Sequence, residues 1–367
     1  MPSYTYRVID PDGKEKKVRT PGVGARDHAV FCRQCATILK AGVSAINTLQ
    51  MMSEQTENRA LGSAAARMAD ELGRGETLSS AMRRERVFPP ILADVVDSGE
   101  SSGTLDTAFD KMAVWFEKED KLSRTVRRAT LYPLAVFGVA VCIIIAMLAF
   151  IVPNFMEMFG ETDVEMPALT QAVISVSDFF VKYWWLLAII AAVIIAAVIL
   201  YSHTESGQVL FGKLKLWMPL SGRMRTDMCC AMFAGTLSTL LQSGIPMGEA
   251  LEITGDSMDG NILLRRAVYD AEEQVEQGVA LSKPVSMSGL FPPMVIHMIS
   301  IGEETGALED MLETIAEYYE EEASRAAEHI TAVAEPVIIV ILAVITGIII
   351  MAVLQPMLTL YDSIDRL

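Results

Sequence analysis

Residues with chemical potential are few in this 367-residue chain, and each has a plain alternative. Gly207 to Leu214 (GQVLFGKL) has the glycine and lysine spacing of a phosphate loop, but Leu214 stands where a Ser or Thr hydroxyl would have to bind magnesium. An apolar stretch rather than a strand precedes it, so ATP binding is not expected there. Cys32 and Cys35 have the spacing of a redox or metal pair, yet no second pair of ligands follows at a zinc-site distance. They read as small core side chains of a reducing compartment. His28, His203, His297 and His329 are scattered, none with a ligand partner one helical turn on. No nucleophile, base or metal cluster emerges; neither an enzyme nor a cofactor is expected.

One acidic pattern occurs twice. Glu100 lies between Gly99 and Gly103, and Glu303 between Gly302 and Gly306. Each is expected in a helix-to-helix turn near the start of the next helix, where a carboxylate can cap free amides. The sharper reading makes Gly99, Glu100, Gly103, Gly302, Glu303 and Gly306 exposed turns that dock a partner.

The elements that would carry these residues follow from composition. Hydrophobic side chains make up 51% of the chain and aromatic ones 7%, with mean hydropathy +0.35, although 21% of residues are charged. The apolar excess is concentrated, as in a membrane protein with aqueous domains. A net charge of −16 and a pI near 4.8 argue against a nucleic-acid partner. Three windows lack charge over a spanning length: Ala129 to Met156, Tyr183 to Ser202, and Pro336 to Tyr361. About 20 helical residues cross roughly 30 Å of hydrocarbon, so each window holds one pass. Tyr183, Trp184, Trp185 and Tyr201 fit interfacial anchors of the second. Glu335, beside Pro336, fits an interfacial position better than a proton relay.

Lys118, Lys121, Arg124, Arg127 and Arg128 before the first window, and Lys213, Lys215, Arg223 and Arg225 after the second, place both flanks in the cytoplasm. The acidic segment between those windows is then external, as is the C-terminal tail. The polar N-terminus shows no cleavable signal and is expected inside.

The chain is also a duplication. Phe31, Thr37, Leu39, Gly42 and Leu49 recur as Phe233, Thr239, Leu241, Gly244 and Leu251 at an offset of 202. After a one-residue slip, Gly75, Leu78, Pro89 and Pro90 recur as Gly278, Leu281, Pro292 and Pro293 at 203. Pro133 and Pro153, which open and close the first apolar window, recur as Pro336 and Pro356. Helical periodicity in Phe31, Cys35, Ile38 and Leu39, then in Leu105, Phe109, Met112 and Phe116, makes each repeat a helical bundle feeding a membrane helix. The second window, absent from the repeat, returns the chain so that both bundles share the cytoplasm.

The expected fold is therefore an all-α integral membrane protein with two repeated cytoplasmic helical bundles and three transmembrane helices. Period-two alternation around a PDG turn in the opening residues fits a short N-terminal β-hairpin. The expected segments are 1–26, a first helical repeat at 27–128, a span at 129–156, an external loop at 157–182, a second span at 183–202, a second repeat at 203–335, a third span at 336–356, and an external tail at 357–367.

On these motifs the chain resembles the type II secretion system protein F family, which includes the general secretion pathway F proteins and the type IV pilus assembly C proteins. The resemblance rests on duplicated segments of the form F-x-RQ-x-A-T-x-L-x-AG-V and G-E-x-S-G-x-L, each leading to a Pro-flanked span. It departs from the pattern in its short segment ahead of Phe31 and at Cys35, where the pattern has leucine. The resemblance implies an inner-membrane platform that sits above a hexameric secretion ATPase, contacts other inner-membrane assembly proteins and helps pilin-like subunits leave the bilayer for a filament. A homo-oligomer in contact with membrane lipid is expected. The alternative is a small-solute transporter or channel subunit, against which the windows lack paired charges and a polar path.

Overall fold

The computed structural model describes residues 5–9, 15–19, 23–147, 150, 168–202, 221–258 and 262–364, and the statements below concern these. Strands β1 (Thr5–Ile9) and β2 (Glu15–Arg19) pair antiparallel, Thr5 opposite Arg19. Six helices follow: α1 (Ala25–Lys40), α2 (Ala45–Gln55), α3 (Arg59–Gly73), α4 (Leu78–Arg84), α5 (Pro90–Ser102) and α6 (Leu105–Ala146). After α7 (Ala168–Ser202) the series repeats as α8 (Ser221–Gln242), α9 (Met247–Ser257), α10 (Ile262–Glu276), α11 (Ser282–Ser288), α12 (Pro293–Thr305) and α13 (Leu308–Ile364). Thus α1 to α6 correspond in order to α8 to α13, and α7 has no counterpart.

Local chemistry sets the helix ends. Ser44, Asn58 and Thr77 each accept a backbone N–H from the first turn they cap, at 3.4, 3.0 and 3.3 Å. Pro90 and Pro293 open α5 and α12, where a missing N–H costs nothing. Gly103 and Gly306 close the same helices with φ of +73° and +70°, a left-handed conformation that a side chain would strain.

The chain forms two compact units. The first, Met1–Thr125 with Gly212–Ala326, holds both repeats around one continuous core. Equivalent residues do equivalent work: Phe31 packs on Phe88 at 5.3 Å between ring centres, and Phe233 on Phe291 at 4.9 Å. Phe109 and Phe116 of α6 and Leu312 and Tyr319 of α13 fill the corresponding interior positions.

The second unit comprises Val126–Phe211 and Ala327–Leu367. Within it Ile349 is buried among Ile144, Met147, Val173, Ile174 and Ile345, and the Thr170 hydroxyl donates to the Ala352 carbonyl at 2.8 Å. Among the described residues, α6 and α13 are the helices long and apolar enough to cross a membrane. Their apolar faces are open: Leu134 is 64% exposed and Val340 61%.

Three boundaries differ from the sequence reading. No break separates helical repeat from apolar window, because α6 passes through 128–129 and α13 through 335–336. Pro133 and Pro336 therefore lie inside helices, although each removes one intrahelical N–H. The helix α7 begins at Ala168, inside the segment expected as a loop, and α13 runs past Pro356 to Ile364. Polar residues such as Gln171 and Asp362 sit in good helical context and continue those helices, which hydropathy alone does not reveal. Pro153 lies outside the described residues.

Candidate functional site

The repeated acids sit differently from expectation. Glu100 lies in the last turn of α5 rather than in a turn, and it caps the helix before it. Its carboxylate accepts the N–H of Leu78 at 2.7 Å and of Ser79 at 3.1 Å, at the start of α4. Glu303, at the end of α12, accepts the N–H groups of Leu281 and Ser282 at the start of α11, the second at 3.1 Å. The reason is the antiparallel course of α4 and α5. Arg83 meets Asp94 at 3.0 Å, Ser79 meets Asp97 at 2.7 Å and Leu78 meets Glu100, so the end of α5 returns to the beginning of α4. A carboxylate there satisfies amides that have no partner within α4 and meets the positive end of its dipole.

The flanking glycines have separate tasks. A Cβ on Gly302 would stand 2.8 Å from the Leu308 Cα, and one on Gly99 would overlap Ala108, so both permit the close approach of the next helix. Gly103 and Gly306 make the turn itself. The residues around them, Ser101 to Thr104 and Glu304 to Gly306, are exposed. Hence the six residues do form two matching constellations, with the glycine turns outward and the carboxylates engaged on backbone.

A second constellation, not anticipated, joins the repeats. Trp115 of α6 donates its indole N–H to the Thr236 hydroxyl of α8 at 3.2 Å. Lys111 donates to the Gln242 carbonyl, and the Ser98 hydroxyl to the Ser243 carbonyl. Lys111, Trp115, Thr236 and Gln242 border a cleft of roughly 240 Å³ that also touches Lys118, Glu313 and Glu320. Burial raises the Glu320 carboxyl above its usual range, with Lys118 and Lys121 pulling it back; burial lowers the Lys111 ammonium. The sequence carried one signal of this seam. Lys111 and Trp115 have the unlike counterparts Thr314 and Tyr318 in a chain whose core positions otherwise repeat.

Cys32 and Cys35 are fully buried in the core, and burial pushes both thiols well up. His28 is also buried; its Nε2 lies 2.8 Å from the Val87 carbonyl and its ring stacks on Phe116 at 4.9 Å. Burial lowers its pKa, so it is neutral at pH 7. Among the described residues, no group of three His, Cys, Asp or Glu is placed to hold a metal ion. Gly207 to Leu214 and His203 lie outside the described residues.

Comparison with known proteins adds an independent finding. A family model described as type II secretion system (T2SS), protein F, matches residues 31–153 and again 233–356, once in each repeat. The chain is 34% identical to the type IV pilus assembly protein PilC of Thermus thermophilus, over 99% of this chain and 90% of that protein. It is 32% identical to the type IV pilus assembly protein PilC of Pseudomonas aeruginosa, over 95% and 94% of the two chains. To the type II secretion system protein F of the same organism it is 29% identical, over 92% and 84%.

Proposed function

We propose, from the premise that this chain belongs to the type II secretion system protein F family, that it is the inner-membrane platform of a type II secretion or type IV pilus-like assembly machine. In that role it couples a cytoplasmic secretion ATPase to the transfer of pilin-like subunits from the bilayer into a filament, without catalysis of its own. The observation that carries this reading is that the family match falls on both repeats and on the two apolar helices continuous with them.

Each of the two apolar helices is continuous with a helical repeat. Helix α6 contains the buried Phe109 and Phe116 at one end and the exposed apolar Leu134 and Phe137 further on, in a single run of 42 residues. The same holds for α13, 57 residues long.

In the arrangement we favour, α7 supplies a third crossing, both repeats lie in the cytoplasm and the C-terminus is external. The basic flanks from Lys118 to Arg128 and from Lys213 to Arg225 support it. The ATPase docks on the cytoplasmic unit, with the exposed turns at Gly103 and Gly306 as the surfaces both repeats share. Their acids are occupied by α4 and α11, so docking there would use the turn backbone and neighbouring side chains.

Deleting the gene should abolish filament assembly or secretion while leaving the subunits in the membrane, and the wild-type chain should restore it. Co-purification with the secretion ATPase from detergent extracts is the direct check. Normal assembly in the deletion strain would refute the platform role.

A further inference from the structure

Arg127 and Arg128 stand on α6 just before the first apolar window opens at Ala129, and both belong to the second compact unit. Both are exposed, and neither pairs with an acid among the described residues. One turn earlier on the same helix, Arg124 is held by Asp120 at 2.9 Å. A chain with 46 acidic and 30 basic residues has carboxylates enough to neutralise its cations. Two adjacent arginines left without one point to an anion from outside the chain.

The surface beside them is apolar. Leu131 follows Arg127, and Tyr132 follows Arg128, at the four-residue spacing that places each one turn further along the same face. Leu131 is 56% and Tyr132 46% exposed, and Leu134 beyond them is open as well. At a rise of about 1.5 Å per residue, Leu134 stands about 9 Å further along the helix than Arg128. The Tyr132 hydroxyl makes no hydrogen bond among the described residues. Cations, a hydroxyl and open apolar side chains thus succeed one another along one helix.

The duplication supplies an internal comparison. At the offset of 203, Arg127, Arg128 and Tyr132 correspond to Ile330, Thr331 and Glu335 of α13. The nearest arginine on that helix, Arg325, is held by Glu321 and Glu322. A helix of the same origin therefore passes from its repeat into its apolar window without a free arginine, so the fold does not require the pair on α6.

We propose that Arg127, Arg128 and Tyr132 hold the headgroup phosphate of an anionic phospholipid, whose acyl chains lie along Leu131 and Leu134. A guanidinium presents planar N–H groups that match two phosphate oxygens, and its apolar stem can run along the helix while the charged head reaches the interface. The Tyr132 hydroxyl donates one bond more. A zwitterionic headgroup carries its own cation beside the phosphate, which competes with the arginines and weakens the attraction. A soluble phosphate would leave Leu131 and Leu134 uncovered, and the lipid covers both. The inference rests on α6 crossing the membrane and is independent of coupling to an ATPase.

The test competes phosphatidylglycerol against phosphatidylcholine of the same acyl chains for the full-length protein in mild detergent, with bound lipid read by native mass spectrometry. Orientation in a membrane, which the same arginines influence, does not enter a measurement in detergent. The wild type should prefer phosphatidylglycerol. Replacing both arginines, Arg127→Gln with Arg128→Gln, should lower that preference roughly 30-fold, about fivefold for each charge. Tyr132→Phe should lower it about two- to tenfold, and reads the site even where the double variant folds poorly. Arg325→Gln removes the same charge from α13 and should leave the preference unchanged, and millimolar glycerol 3-phosphate should not displace the lipid. Equal binding of the two lipids by the wild type, an undiminished preference without the arginines, an equal loss in Arg325→Gln, or displacement by glycerol 3-phosphate would each overturn the proposal. Filament assembly in the deletion strain bears on the platform role alone.

Discussion

The indole N–H of Trp115 and the hydroxyl of Thr236, 3.2 Å apart, tie the last helix of the first repeat to the first helix of the second. Two halves related by duplication thus share one core through residues that the duplication did not preserve as a pair: the counterparts, Tyr318 and Gln34, are both exposed.

That bond should be measurable as a coupling. Trp115→Phe and Thr236→Val each remove one partner while keeping shape. In a double-mutant cycle on chemical unfolding of the detergent-solubilised chain, the interaction energy should be about 0.5–1.5 kcal/mol. Strictly additive effects would show that the seam does not depend on this bond.

Neutralising the inward carboxylates should cost stability in both repeats. Glu100→Gln or Glu303→Gln places an amide against two backbone N–H groups that now share a charged acceptor, a loss of about 1–3 kcal/mol. The apparent Tm should fall for each variant. An unchanged Tm combined with lost ATPase binding would instead favour direct docking through these acids.

Gly302→Ala should destabilise through contact rather than conformation. Its new Cβ would stand 2.8 Å from the Leu308 Cα, a backbone atom that cannot rotate away. Overpacking of this kind costs about 1–3 kcal/mol. At Gly24, where an added Cβ meets nothing within 4 Å, alanine should change the same denaturation midpoint far less.

Stability should decline in mild acid because of His28. Its folded pKa lies below the ordinary 6.5, chiefly through burial. As pH falls below that ordinary value the unfolded chain takes up a proton that the folded chain excludes, so the folded state loses free energy until its own lower pKa is reached. Above the ordinary value this penalty is absent. The slope of Tm against pH between about 6.5 and 5 should flatten in His28→Gln, and an equal slope in both proteins would assign the effect to other groups.

Topology is accessible to thiol labelling in intact cells. Single cysteines at Ser63 and Ser286, exposed positions on the first and second repeats, should resist a membrane-impermeant maleimide, and one at Thr162, between the first two apolar windows, should react. Labelling at Ser286 from outside would place the two repeats on opposite sides.

Much of the molecule was legible because its signals are local or repeated. Spacing of Phe31, Cys35, Ile38 and Leu39 specifies a buried helical face whatever packs on it, and the recurring Gly103 and Gly306 mark helix ends because only glycine takes their φ cheaply. The recurrence of aligned residues at offsets of 202 and 203 reveals the duplication from sequence alone. Hydropathy likewise located the apolar windows, though not where the helices holding them begin and end. A helix can run on through polar residues and an internal proline, as α6 does past Arg128 and Pro133.

What tertiary structure alone decided are relationships between residues far apart in the chain. The sequence showed that Glu100 could cap a helix; only the antiparallel return of α5 along α4 chose Leu78 and Ser79 as the amides it satisfies. Nothing in the periodicity of α6 or α8 states that Trp115 meets Thr236. Periodicity fixes which face of a helix is apolar, whereas the partner of that face depends on the shapes and charges of every other element competing for it. Two nearly equivalent repeats could have met symmetrically. They join instead through unlike faces: Trp115 meets Thr236 and Lys111 meets the Gln242 carbonyl, while the counterparts Tyr318 and Gln34 remain exposed.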